Sequence, residues 1–152
     1  MRMIRQFVEA IARIAKLRIA GEHRSALAEV ERLRGELFEG PEALDQHVDS
    51  ATLAGLLRHP DRVRAAAMLA FEEGRIHTGT SDPLAAFVCY RRAHELYLEA
   101  RAIEPQDGDL PALFELARLA PAQHLDPRYR PDDSDDDDGD VTDTAPAPDT
   151  PR

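Results

Sequence analysis

The sequence predicts an all-α protein of five or six antiparallel helices followed by a disordered, acidic C-terminal tail. Three observations predict it. Apolar residues recur at spacings of three and four through roughly the first 120 residues, the mark of helices that bury one face. Val, Ile and Thr are sparse and never alternate with polar residues over a sustained run, so no strand is expected. From Pro131 onward the chain is Asp, Pro, Thr and Ala, with Val141 its only branched aliphatic residue. Such a segment cannot bury enough apolar surface to offset the entropy it would lose on ordering.

The first helix is read over Arg2 to Ala20, with Ile4, Phe7, Val8, Ile11, Ile14 and Ala15 on one side and Arg5, Glu9, Arg13 and Lys16 elsewhere. Gly21 stops it. A second helix restarts at Ser25-Ala26-Leu27 and continues through Val30, Leu33, Leu37 and Phe38, and so short a turn forces the two to lie antiparallel. Gly40-Pro41 ends the second helix, since glycine suits the position past a helix end and proline cannot continue one. After a connector over 42–49, Asp49 or Ser50 caps a short third helix carrying Leu53, Leu56 and Leu57, which Pro60 closes. A fourth helix is expected from about Asp61 through Val63, Ala66, Ala67, Ala70 and Phe71 to about Ile76, followed by a loop at Thr78-Gly79-Thr80-Ser81. Asp82-Pro83 then reads as an N-cap with proline at the first helical position. It opens the longest helix, with Leu84, Phe87, Val88, Leu96, Tyr97, Ala100 and Ile103 on its expected apolar side. Glu104-Pro105 ends that helix, and Asp109 caps a last short one using Leu110, Leu113, Phe114 and Leu116.

A chain of 152 residues is long enough for one core and not for two sizeable ones, so residues 1–120 are read as one helical domain and 121–152 as an Asp/Pro-rich tail. Charge divides the same way. From Pro131 to the end there are nine Asp against one Arg, net -8 of the total -10, which leaves net -2 for everything before. The folded part is therefore nearly neutral, which argues against a nucleic-acid binder, because such proteins show a basic patch or stripe. No apolar run approaches the roughly 20 residues that span a bilayer, and the N-terminus lacks the uncharged core of a signal peptide. A soluble, cytoplasmic protein is the expectation.

The turn Gly21-Glu22-His23-Arg24-Ser25-Ala26-Leu27 resembles the break between the two helices of a tetratricopeptide (TPR) unit. The stretch from Glu73-Gly74-Arg75-Ile76 to Ala93-His94-Glu95-Leu96-Tyr97-Leu98-Glu99-Ala100 resembles a second hairpin of that kind. Together with the opening Met3-Ile4-Arg5-Gln6, these residues look like a family of small, TPR-like bacterial proteins whose function is not known. The resemblance runs from about Met3 to Leu119 and implies TPR-like antiparallel hairpins; it implies no particular partner. Repetition at the TPR period of about 34 residues is absent. The hairpin alanines taken as equivalent, Ala26 and Ala93, lie 67 apart, and the residue 34 after Ala26 is the helix breaker Pro60.

No catalytic constellation is legible. The six histidines, His23, His47, His59, His77, His94 and His124, form no HExxH, HxxxH or Cys/His cluster at zinc spacing. The single cysteine, Cys89, is read as a small buried hydrophobe, and His94, five positions on, stands about 140° round the helix from it at about 100° per residue. Ser25, Ser50 and Ser81 are read as helix caps, with no GxSxG elbow around any of them. No GxxxxGK[ST] or GxGxxG occurs, and the calcium-like start Ser134-Asp135-Asp136-Asp137-Asp138-Gly139 has Ser at its first ligand position and Ala145 where a bidentate Glu belongs. No cofactor and no metal is therefore expected.

The leading expectation is a non-catalytic protein-binding or structural module whose partner is another protein. A membrane-peripheral protein is the alternative, because the first helix sets Arg2, Arg5, Arg13, Lys16 and Arg18 against Glu9, net +4, beside its apolar stripe. A third reading is a small-ligand sensor with a pocket between helices. The tail is read as a solubilising segment, or an electrostatic arm for a basic partner.

Overall fold

The computed structural model describes residues 2–38 and 47–132. Among these residues the fold is all-helical, with no strand. The helices are α1 (Arg2–Ile19), α2 (His23–Phe38), α3 (Ser50–Leu57), α4 (Pro60–Gly79), α5 (Pro83–Ile103) and α6 (Leu110–Leu119), with short 3-10 turns at 107–109, 122–124 and 127–129. The expected stop at Gly40-Pro41, most of the connector and the acidic tail from residue 133 lie outside the described residues.

Several boundaries differ from the sequence reading. α2 begins at His23 rather than Ser25. α4 opens on Pro60, which suits the first helical position, and Thr78 and Gly79 extend it instead of starting a loop. α3 stops at Leu57 because Arg58 turns to φ 67, and its N–H closes on Ala54 O. None of the three serines caps a helix. Ser25 lies inside α2, the side chain of Asp49 caps α3 by accepting from Thr52 N at 2.8 Å, and that of Asp82 caps α5 by accepting from Ala85 N at 3.2 Å.

The two hairpin turns are built alike. Gly21 N–H donates to Arg18 O and Glu22 N–H to Leu17 O, and in the second turn Ser81 N–H donates to Thr78 O and Asp82 N–H to His77 O. These are the paired bonds of a Schellman ending, with a left-handed residue past the helix: Gly21 at φ 78 and Ser81 at φ 59. The two residues are 60 positions apart (81 − 21), and the core repeats at that offset. The buried residues of α2, Ala26, Val30, Leu33, Arg34 and Leu37, correspond to Ala86, Tyr90, Ala93, His94 and Tyr97, all buried on α5. The partner of Ala26 is thus Ala86, not Ala93. The hairpins α1–α2 and α4–α5 share their turn geometry and the spacing of buried positions on their second helices, and α3 lies between them in the chain.

α4 packs on both helices of the first hairpin and, along its length, on α5. The buried stripe of α5, Ala86, Tyr90, Ala93, Tyr97 and Ala100, advances by four and three. Large aliphatic residues expected on that face point outward instead, Leu84 at 75% exposure, Val88 at 59% and Ile103 at 53%. The reason is steric: alanine lets two helix backbones approach, so a stripe of small residues and ring-bearing tyrosines wins the interface over branched side chains. On α6, Leu116 is buried as expected, whereas Leu110 and Phe114 are exposed.

α5 also gathers the remaining elements through polar groups. Buried Glu95 accepts from Ser50 Oγ at 2.9 Å and from Asp126 N at 2.9 Å, which ties the start of α3 and the chain beyond α6 to one carboxylate. His94 Nδ1 meets Ala120 O at 2.8 Å, and Tyr129 donates to Glu99 at 2.6 Å. With Leu125 buried at 1% exposure, residues 121–130, which the sequence reading placed in the tail, pack on the helical unit. Asp109 precedes α6 but makes no side-chain cap bond; its carboxylate takes Arg64 in two bonds, Nε to Oδ1 at 2.8 Å and Nη2 to Oδ2 at 2.9 Å.

Candidate functional site

α2, α3, α4 and α5 leave a groove of about 380 Å³. Its apolar lining includes Phe38, Leu53, Ala66, Leu69, Val88 and Leu96, and its polar lining is Arg34, Glu73, His77, Cys89 and Arg92. Apolar walls with a few convergent polar groups are the usual composition of a binding pocket. Leu84 stands one turn before Val88 on α5, so one further exposed aliphatic side chain continues the apolar surface outside the groove.

The polar residues come together from separate elements. Glu73 and His77 are four apart on α4 and share a face, with His77 Nε2 3.8 Å from Glu73 Oε1. Cys89 reaches them from α5, and one ligand atom from each of Glu73, His77 and Cys89 lies within 4.8 Å of the other two. Arg34 on α2 donates through Nη2 to Glu73 Oε2, and its Nη1 meets Glu31 at 2.5 Å. Arg92 is turned towards α3, donating to Val48 O at 2.7 Å.

Among the six histidines only His77 enters this cluster. His94 is buried on Ala120 O, and the separation of Cys89 from His94 expected from helix geometry agrees with the two facing different elements. His124 lies edge-on to Phe87 at 5.9 Å, and His23 packs against Gly79, where an added Cβ would come within 2.7 Å of its ring. Cys89 is half-buried at the groove, not a core hydrophobe. The cluster is not legible in the sequence because its three residues fall at no zinc or catalytic spacing along the chain. The Glu73–His77 pair at i, i+4 was a visible signal; Cys89, twelve residues further on, joins it only once the hairpin closes.

The basic first helix has its apolar side inside the fold, with Ala10, Ile11 and Ile14 buried against α2 and α4. Arg18 of that helix pairs with buried Glu72 at 3.1 Å. No helix among the described residues is long and apolar enough to cross a membrane. No family model, curated protein or solved structure matches the chain.

Proposed function

We propose that the chain is a non-catalytic protein-binding module built of TPR-like hairpins, and that its groove takes a peptide segment carrying an apolar side chain. The groove itself carries the reading. It has an apolar floor, and its wall at half-exposed Val88 is continued outward by exposed Leu84. An apolar anchor therefore finds surface to bury.

The TPR-like arrangement is supported by the repeated turn and by the position of α4, whose contacts with both helices of the preceding hairpin are the stacking that helical repeats use. The near-neutral charge before Pro131 favours a protein partner over nucleic acid. The membrane-peripheral reading is weakened by the burial of Ala10, Ile11 and Ile14, since an interfacial helix needs that apolar face for lipid.

Selection of a displayed random-peptide library against the full chain tests the proposal. Enriched peptides should share an apolar residue, and should lose about tenfold or more in affinity to Val88→Glu, which places a charge at an exposed site and leaves the melting temperature unchanged. Peptides that bind wild type and Val88→Glu equally would overturn it. So would failure to enrich any peptide, or vesicle binding that disappears in Arg5→Glu/Arg13→Glu, which would favour the membrane reading.

A further inference from the structure

We infer that Glu73, His77 and Cys89 form a binding site for a divalent transition metal of the zinc class, with its remaining coordination position open to the groove. The inference is independent of what occupies the groove. It rests on three side chains of complementary chemistry, a carboxylate, an imidazole and a thiol, whose ligand atoms all lie within 4.8 Å of one another.

The donor set selects the metal class. Thiolate and imidazole favour zinc and its neighbours over magnesium or calcium, which take oxygen ligands alone. Tetrahedral zinc, with bonds of about 2.0 to 2.3 Å, holds its ligand atoms roughly 3.3 to 3.8 Å apart. Small side-chain rotations therefore close the site, with no backbone movement. Both ligand-bearing helices are firmly held: Glu73 and His77 lie on α4, and Cys89 on α5, the two most extensively packed elements of the fold.

The surroundings suit a metal in two further respects. Arg34 holds Glu73 Oε2, leaving Oε1 on the side of His77, which is the outer-shell support that metal-binding carboxylates commonly have. All three ligands are half-buried and line the groove, so a metal held by them has a path to solvent and room for a fourth ligand, water or a donor atom of a bound partner. On binding, the Cys89 thiol gives up its proton to solvent and the metal forms a bond to sulfur; no electron is transferred.

Cobalt(II) titration of the full chain under reducing conditions tests the site, because a thiolate ligand produces a sulfur-to-cobalt charge-transfer band that carboxylates and imidazoles do not. The band should saturate at one cobalt per chain, show tetrahedral d–d intensity and disappear when zinc is added. Cys89→Ser should abolish the band, and His77→Ala should weaken binding about tenfold or more. Removal of residues 133–152 should leave it unchanged, which separates the site from the aspartates of the tail. Circular dichroism of Cys89→Ser and His77→Ala checks that both remain folded. Absence of the band at millimolar cobalt would overturn the inference, as would a band unaffected by His77→Ala or binding lost with the tail instead of with Cys89.

Discussion

A Cβ added to Gly74 would stand 2.6 Å from Cε1 and 2.7 Å from Cδ1 of Tyr90, so the crossing of α4 over α5 is as close as it is because residue 74 has no side chain. The ring cannot easily withdraw. It lies edge-on to Phe71 at 5.9 Å between centroids, and its hydroxyl is 2.8 Å from Thr78 Oγ1. Gly74→Ala should therefore destabilise the protein by about 1 to 3 kcal/mol, the cost of overpacking outweighing a helix-propensity gain of up to about 1 kcal/mol. Gly55, also helical, has nothing within 4 Å of an added Cβ, so Gly55→Ala should be neutral or slightly stabilising. Urea unfolding of both variants checks the contrast; equal effects would mean that the contact does not control the helix spacing.

Arg64 and Asp109 should behave as a buried pair. Both side chains are under 10% exposed and share two hydrogen bonds. Asp109→Ala leaves a buried guanidinium without its counter-charge and should cost about 3 to 5 kcal/mol. The double replacement Arg64→Met/Asp109→Leu should cost less than Asp109→Ala alone, since the buried guanidinium goes with its partner and Arg101, the other cation near Asp109, is partly exposed. A double variant less stable than the single one in chemical denaturation would contradict this.

Two truncations locate the end of the cooperative fold. Removing residues 131–152 should leave the melting temperature nearly unchanged, since the aspartate-rich composition offers no branched aliphatic side chain for the core beyond Val141. Removing 121–152 also deletes buried Leu125 and the bonds from Asp126 and Tyr129 to α5. The melting temperature should then fall by roughly 5 to 10 °C. If the two truncations melt together, the segment after Pro121 contributes nothing to stability.

Tyr97 gives the fold an alkaline limit. Burial, and secondarily the charge of Asp109, push its phenol from 10.0 up to about 12. The unfolded chain loses this proton first, so stability from Tyr97 is complete below about pH 10 and is lost as pH rises from there to about 12; over that interval the loss amounts to about 3 kcal/mol. Tyr97→Phe should flatten the decline in stability over that range. Phenolate absorbance that finishes rising near pH 10 for all three tyrosines would show that Tyr97 is not shielded.

What the sequence by itself determined is local. The helical period, the break at Gly21 and the Asp82-Pro83 start each depend on residues a few positions apart, and each appears in the structure. Which side of α5 faces inward was legible only in part: Leu96, Tyr97 and Ala100 are buried as expected, but hydrophobicity also ranks Leu84, Val88 and Ile103 above alanine, whereas close helix contact selects Ala86 and Ala93. The likeness of the two hairpins at a 60-residue offset was hidden for a related reason: they share buried positions and turn geometry more than residue identity, as in Val30 with Tyr90 and Leu37 with Tyr97. The meeting of Glu73 and His77 with Cys89 was decided by tertiary structure alone. It requires the register of α4 on α5, which the Schellman turn at 80–82 and the approach of Gly74 to Tyr90 set together, and no periodicity along a single helix encodes a register between two.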